Sequence, residues 1–409
     1  MTTDQLTPMR KGIVGVQFLF VAFGATVLVP LLVGLDPATA LFSAGLGTFI
    51  FHLATRGRVP IFLGSSFAFI APMIAASKQW GMPGTLAGLC GVALVYFVMS
   101  ALVKWQGRRL LDRLFPPVVI GSVIILIGLT LSGSGVNMAK TNWTLALVSL
   151  ATAICVLTLG RGLIKLVPVV CGIAVGYVVA CCMGVVDFEP VKQAPWFALP
   201  SSIAHFHLPQ FSWAPFFYMI PVAIAPVIEH IGDVYVVSAV AGKDFAKSPG
   251  LHRTMLGDGL ACLAASFFGG PPVTTYSEVT GAMSITKVTS PQVIRIAAAT
   301  AIVFSVIGKL SALLQSIPQA VLGGCTIMMF GSILFAGFQM MARCGFSQRN
   351  MIIVSLSLSV GLGFTSVTQL FSIFPQIVQT VFAENCVAVV FLLAVILNLV
   401  LPKEKADKL

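Results

Sequence analysis

Apolar stretches of about 20 residues, enough to carry a helix across roughly 30 Å of hydrocarbon, recur from position 15 to position 402 of this 409-residue chain. Inside lipid every backbone polar group must be satisfied within the protein, so such stretches are restricted to helices or to irregular backbone shielded from lipid. Only 9% of the residues are Asp, Glu, Lys or Arg, against roughly 25% in a soluble domain, which excludes an ordinary cytosolic enzyme. The chain reads as an all-α polytopic membrane protein.

Fourteen spans fit, at 15–34, 38–55, 61–76, 83–103, 116–134, 143–160, 164–186, 214–242, 254–269, 273–287, 291–312, 318–338, 350–366 and 385–401. Two are short and irregular. The third lies between Pro60 and Pro72 and contains Gly64-Ser65-Ser66, and the tenth follows Gly269-Gly270-Pro271-Pro272; proline and glycine there argue against an uninterrupted helix. With fourteen spans and a cytoplasmic N-terminus, all but Lys78, Lys140, Lys192 and Lys309 of the 24 Lys and Arg residues fall on the inner side, as the positive-inside bias requires. The net charge of +11 therefore belongs to short loops, among them Arg108, Arg109 and Arg113, and does not signal nucleic-acid binding. Nine cysteines, mostly within apolar runs, make neither a disulfide frame nor a metal site. The polar start, Met1 to Lys11, runs into the first span without a small-residue cleavage site, so that span is expected to be retained. The long outer connection over 186–213 reads as an interfacial or partly extended segment, with His205 and His207 at its surface.

Seven spans precede that connection and seven follow it. Phe115-Pro116-Pro117-Val118-Val119-Ile120-Gly121 matches Ile317-Pro318-Gln319-Ala320-Val321-Leu322-Gly323, and the irregular segments at Gly64 and Thr275 occupy equivalent places in their halves. A repeat unit with an odd number of spans re-enters the membrane from the opposite side, so the halves are inverted, a plan suited to alternating access around a midplane site.

Ionisable residues within spans are expensive and mark functional positions. Glu229 and Asp233, four residues apart, share one face of the eighth span, and His230 points about 100° away. Two ionised carboxylates there would repel, so one binds a proton or a cation or meets a donor elsewhere. His230 can be satisfied by packing and one hydrogen bond. Asp258, between Gly257 and Gly259 near the start of the ninth span, either caps a helix or takes part in cation coupling. Glu278 follows Tyr276 and Ser277 in the second broken segment, and Phe67 lies in the first. Backbone groups released at the breaks suit a planar amide or imide, against which Phe67 can stack with Tyr276 flanking it. Gly64, Ser65 and Ser66 allow the broken segments to approach closely.

These residues carry a resemblance. Phe23-Gly24-Ala25-Thr26-Val27-Leu28-Val29-Pro30, Leu63-Gly64-Ser65-Ser66-Phe67-Ala68-Phe69, Glu229-His230-Ile231-Gly232-Asp233 and Thr274-Thr275-Tyr276-Ser277-Glu278-Val279-Thr280-Gly281 resemble the nucleobase–ascorbate transporter family, also called nucleobase:cation symporter 2, and within it the bacterial uracil permeases. The resemblance implies a core domain (15–103 and 214–312), a gate domain (116–186 and 318–401), cytoplasmic termini (1–14 and 402–409), short antiparallel strands in spans 3 and 10, and a homodimer. It implies a multi-pass protein of the bacterial cytoplasmic membrane, a transporter and not an enzyme, with no cofactor. Residue by residue it assigns nucleobase binding to Phe67, Glu229, Tyr276, Ser277 and Glu278, and proton or cation coupling to Asp233, His230 and Asp258. Glutamate at 278 favours uracil. Three positions depart from the family pattern: Gln17-Phe18 where many members have histidine, Asp233 where close uracil permeases have histidine, and Val279 where asparagine is common. The expected activity is uracil uptake by proton symport. The alternatives are a xanthine, uric acid or other purine symporter, possibly sodium-coupled, and an anion exchanger of the same architecture, which the midplane carboxylates oppose electrostatically.

Overall fold

The computed structural model describes residues 7–107, 115–204, 211–345, 347–367 and 386–402, with Ile373 and Gln379. Arg108, Arg109, Arg113, His205, His207, most of the region between the last two helices, and residues 1–6 and 403–409 of the expected cytoplasmic termini lie outside the described residues.

Local chemistry sets the helix ends. Helix α1 (Pro8–Val33) starts with Pro8 in its first turn and the Thr7 side chain as cap, and it stops at Gly34, whose φ of 82° only glycine adopts freely. Helix α2 (Pro37–Ala54) starts the same way, with the Asp36 carboxylate accepting from the Ala38 N–H at 2.9 Å. Helix α3 (Ile70–Gln106) is interrupted at Gly81, where φ is 67°, with Pro83 two residues on. That interruption separates the third and fourth expected spans.

The first expected irregular segment becomes strand β1 (Leu63–Ser65) followed by a 3-10 turn over Phe67–Phe69. In the second half, helix α11 (Leu251–Phe267) leads to strand β2 (Val273–Thr275) and helix α12 (Ser277–Thr286). The strands pair antiparallel, with Leu63 opposite Thr275, Gly64 opposite Thr274 and Ser65 opposite Val273. Non-helical backbone at this depth stays paired. Leu63 N–H donates to Thr48 Oγ1 at 2.9 Å, Ser66 N–H to Pro272 O at 2.9 Å and Tyr276 N–H to Phe62 O at 3.1 Å.

Two expected spans bend. The eighth divides into α9 (Trp213–Met219) and α10 (Ile224–Ala241) around Pro221, which lacks the N–H a continuous helix needs. The eleventh divides into α13 (Pro291–Ser305) and α14 (Gly308–Gln315) at Val306 and Ile307. The connection after α6 (Pro168–Cys182) holds two short helices, α7 (Glu189–Gln193) and α8 (Ser201–Ala204), with an extended bridge between Phe197 and Ile307. It is partly extended, as the sequence suggests.

Helices gather into two packing groups. One joins α1, α2, α3, α9, α11 and α13; the other joins α4 (Pro117–Ala139), α5 (Trp143–Leu159), α6, α15 (Gln319–Ala342), α16 (Gln348–Ser366) and α17 (Cys386–Val400). Lipid is as apolar as a helix face, so close backbone approach, more than the hydrophobic effect, holds such groups together. The repeat-related pair α4 and α15 shows this. A Cβ on Gly121 would lie 3.0 Å from Gly337 O, and one on Gly323 would collide with Ala139 N at the opposite end of the crossing. Equivalent glycines of the two halves thus each meet the far end of the other helix, the relation an inverted repeat produces.

Candidate substrate site

The site begins where the two broken segments cross. Gly64 has no room for a side chain, because a Cβ there would run into the Tyr276 ring. Tyr276 itself is 4% exposed, and its hydroxyl donates to Ser65 O at 2.8 Å across the strand pair. Ser65 Oγ in turn donates to Thr26 O of α1 at 3.0 Å. Tyr276 therefore fastens the crossing, and its polar end is directed at the backbone of the opposite strand. Phe67, in the turn just beyond β1, keeps part of its ring open.

Helix α10 packs against α12, and each presents a carboxylate beside the crossing. Glu229 and Glu278 are both exposed although they sit in their helices' apolar surroundings. Glu278 and the exposed Ser277 occupy the first turn of α12, where N–H groups without helical partners favour negative charge and can donate to a ligand. Acceptors and donors thus converge on one edge.

Asp233 lies on the same helix face as Glu229 but in different surroundings. It is 8% exposed, and Thr275 Oγ1 of β2 donates to its Oδ2 at 2.7 Å. The sequence presents the two carboxylates as a matched pair, whereas the fold opens one to the site and ties the other to the strand.

His230, Asp258 and Thr254 form a separate buried set. His230 Nδ1 lies 2.9 Å from Asp258 Oδ2 and Nε2 lies 2.8 Å from Thr254 Oγ1. The Thr254 hydroxyl donates to Leu251 O at 2.9 Å, so it accepts from His230 Nε2–H, which leaves Nδ1 facing the Asp258 carboxylate. The capping alternative for Asp258 is overturned: α11 begins at Leu251, two turns earlier, and the carboxylate is spent on His230. His230 makes two polar contacts where one was expected, because its direction away from Glu229 aims it at α11.

Val279 and Phe18, two of the departures from the family pattern, are buried at 0% and 1% exposure. The sequence reading assigned no role to Thr48 and Thr254, whose hydroxyls hold β1 and His230, or to Thr275 on β2, which holds Asp233. Hydroxyls inside apolar helices were the available signal, but nearby helical carbonyls can satisfy such groups. No cluster able to hold a metal ion occurs among the described residues.

Comparison with known proteins places this geometry. A family model described as "Permease family" matches residues 10–370. The chain belongs to that family, the nucleobase–ascorbate or nucleobase:cation symporter 2 transporters, and is a membrane transporter. It is similar to a "Probable uracil permease" of Haemophilus influenzae, 44% identical over 99% of both chains, and to the "Uracil permease" of Bacillus subtilis, 41% identical over 99% of this chain and 95% of that one. It is also similar to the "Putative pyrimidine permease RutG" of Escherichia coli, 36% identical over 89% and 86%. Among solved structures, the transmembrane domain of the cyanobacterium bicarbonate transporter BicA superposes with a TM-score of 0.62 at 16% identity over 95% and 96% of the two chains. The murine Slc26a9 anion transporter in its inward-facing state also gives 0.62, at 13% identity over 96% and 68%. These two likenesses establish a shared inverted-repeat membrane fold.

Proposed function

We propose that the protein is a proton-coupled uracil importer of the bacterial cytoplasmic membrane. The observation that carries the site is the pair of exposed carboxylates, Glu229 and Glu278, flanking the strand crossing. Uracil presents two ring N–H donors and two carbonyl acceptors on a flat ring, which match two carboxylates, the N–H groups of the first turn of α12 and the open part of Phe67. Tyr276 and Ser277 complete the pocket as strand fastener and first-turn donor. The 41–44% identity to chains named uracil permeases supports this substrate.

In this reading a proton neutralises part of the Glu229–Asp233–Glu278 group and favours nucleobase binding. Asp233 and the His230–Asp258 pair communicate the change to β2 and α11. The core (15–103 and 214–312) then moves against the gate (116–186 and 318–401) and releases both solutes inside. Fourteen spans, cytoplasmic termini and a homodimer belong to the same proposal, the first two supported by the charge bias of the loops.

The test is uptake of labelled uracil into proteoliposomes, with and without ionophores and against a panel of competing nucleobases. Saturable uptake driven by an inward pH gradient, independent of sodium and blocked by unlabelled uracil, is expected. Strict sodium dependence would replace the proton, and stronger competition by xanthine or uric acid would replace the substrate.

A further inference from the structure

The connection from 186 onwards must join the gate to the core, and its chemistry decides which of them it follows. Lys309 at the start of α14 donates to Val191 O at 3.1 Å and Lys192 O at 3.2 Å, and its ammonium lies 5.3 Å from the centre of the Trp196 ring. Ala198 N–H donates to Val306 O at 3.0 Å and Gly308 N–H to Trp196 O at 3.1 Å. These bonds run a strap of chain along the α13–α14 elbow.

The strap ends on one carboxylate. Asp36 Oδ2 accepts from both the N–H and the hydroxyl of Ser201, at 3.1 and 3.0 Å. Asp36 Oδ1 accepts from the Ala38 N–H and from Ser311 Oγ of α14 at 2.7 Å. One side chain therefore caps α2, holds α14 and anchors the strap. Beside it opens a cavity of about 730 Å³, lined by Asp36, Ser201 and Ser311 and also by Val185 and Pro318, which adjoin the ends of the gate helices.

We infer that Asp36 is a positioning residue for transport: it fastens the strap to the core, so the strap travels with the substrate site and the seam opens at Val185 and Pro318. This rests on the core-and-gate reading above. A strap released from the core bridges the seam and drags on the movement, while the pocket at Glu229 and Glu278 is untouched.

Asp36→Asn tests it. Asparagine keeps an oxygen for the α2 cap and loses the second acceptor that holds Ser201. In full-length protein in proteoliposomes, uracil turnover should fall about 10-fold while KM and the uracil dissociation constant stay within about 2-fold. Hydrogen exchange at the Ala198 and Gly308 amides should accelerate by about 10-fold. A disulfide between Phe197→Cys and Ile307→Cys, at bridged positions, in a background without the other exposed cysteines, should restore turnover to D36N and leave an otherwise unaltered chain active. Parent-like turnover and exchange in D36N, continued slowness after the disulfide forms, or arrest of the unaltered chain by that disulfide would each overturn the inference. If the unaltered chain takes up no uracil, the functional reading fails, and the exchange rates still decide whether Asp36 holds the strap.

Discussion

Two crossings of repeat-related segments differ in what they are built from. Where α4 meets α15, glycines face backbone at both ends of the contact, and a Cβ on Gly128 would lie 2.7 Å from Leu334 N. Where β1 meets β2, helical hydrogen bonding is abandoned, the backbone is repaired by Thr48, Pro272 and Phe62, and carboxylates and a half-open phenylalanine stand alongside. The same inverted duplication yields a closed apolar seam at one place and a polar, accessible edge at the other. Helix breakage makes the difference, because only backbone freed from helical bonding can bring donors to a solute inside a membrane.

Substitutions should separate the two crossings. Glu229→Ala or Glu278→Ala should lower uptake by roughly 100-fold or more, with membrane insertion intact, since on the proposed site each removes a charge-assisted contact to the solute. Gly64→Val should cost roughly 30-fold in uptake, because the added side chain forces Tyr276 off the crossing. Thr275→Val leaves buried Asp233 without its donor, and uptake should fall about 10-fold. Tyr276→Phe removes the hydroxyl that bonds Ser65 O and leaves the ring in place, for a loss of roughly 3- to 5-fold. Gly128→Val, in the closed seam, should leave uptake per folded molecule near that of the parent while lowering stability by about 1–3 kcal/mol, read as a lower melting temperature in detergent. Equal transport defects in G64V and G128V would erase the distinction.

The breaks themselves were legible, because Pro60, Pro271 and Pro272 with the adjacent glycines disfavour an uninterrupted helix across these segments. The shared face of Glu229 and Asp233 was legible too, since i and i+4 positions align on any helix. Their unequal fates were not. Which carboxylate meets Thr275 depends on the antiparallel register of two strands about 210 positions apart, and no local spacing encodes it. Asp258 misled for the same reason: two flanking glycines suggested a helix end, but the helix starts earlier and His230, from another segment, supplies the partner. Asp36 was unremarked because a lone aspartate before a proline reads as a cap; Ser201, Ser311 and the strap come to it only in the fold.

Equilibrium binding of labelled uracil to the purified protein, compared with Glu229→Gln and Glu278→Gln, tests the heart of the account because it separates recognition from movement. The parent should bind saturably at one site per chain, and each glutamine variant should bind roughly 100-fold more weakly, about 2.7 kcal/mol, while melting at the parent's temperature. Parent-like affinity in both variants would contradict the claim that these two carboxylates grip the ring edge at the strand crossing.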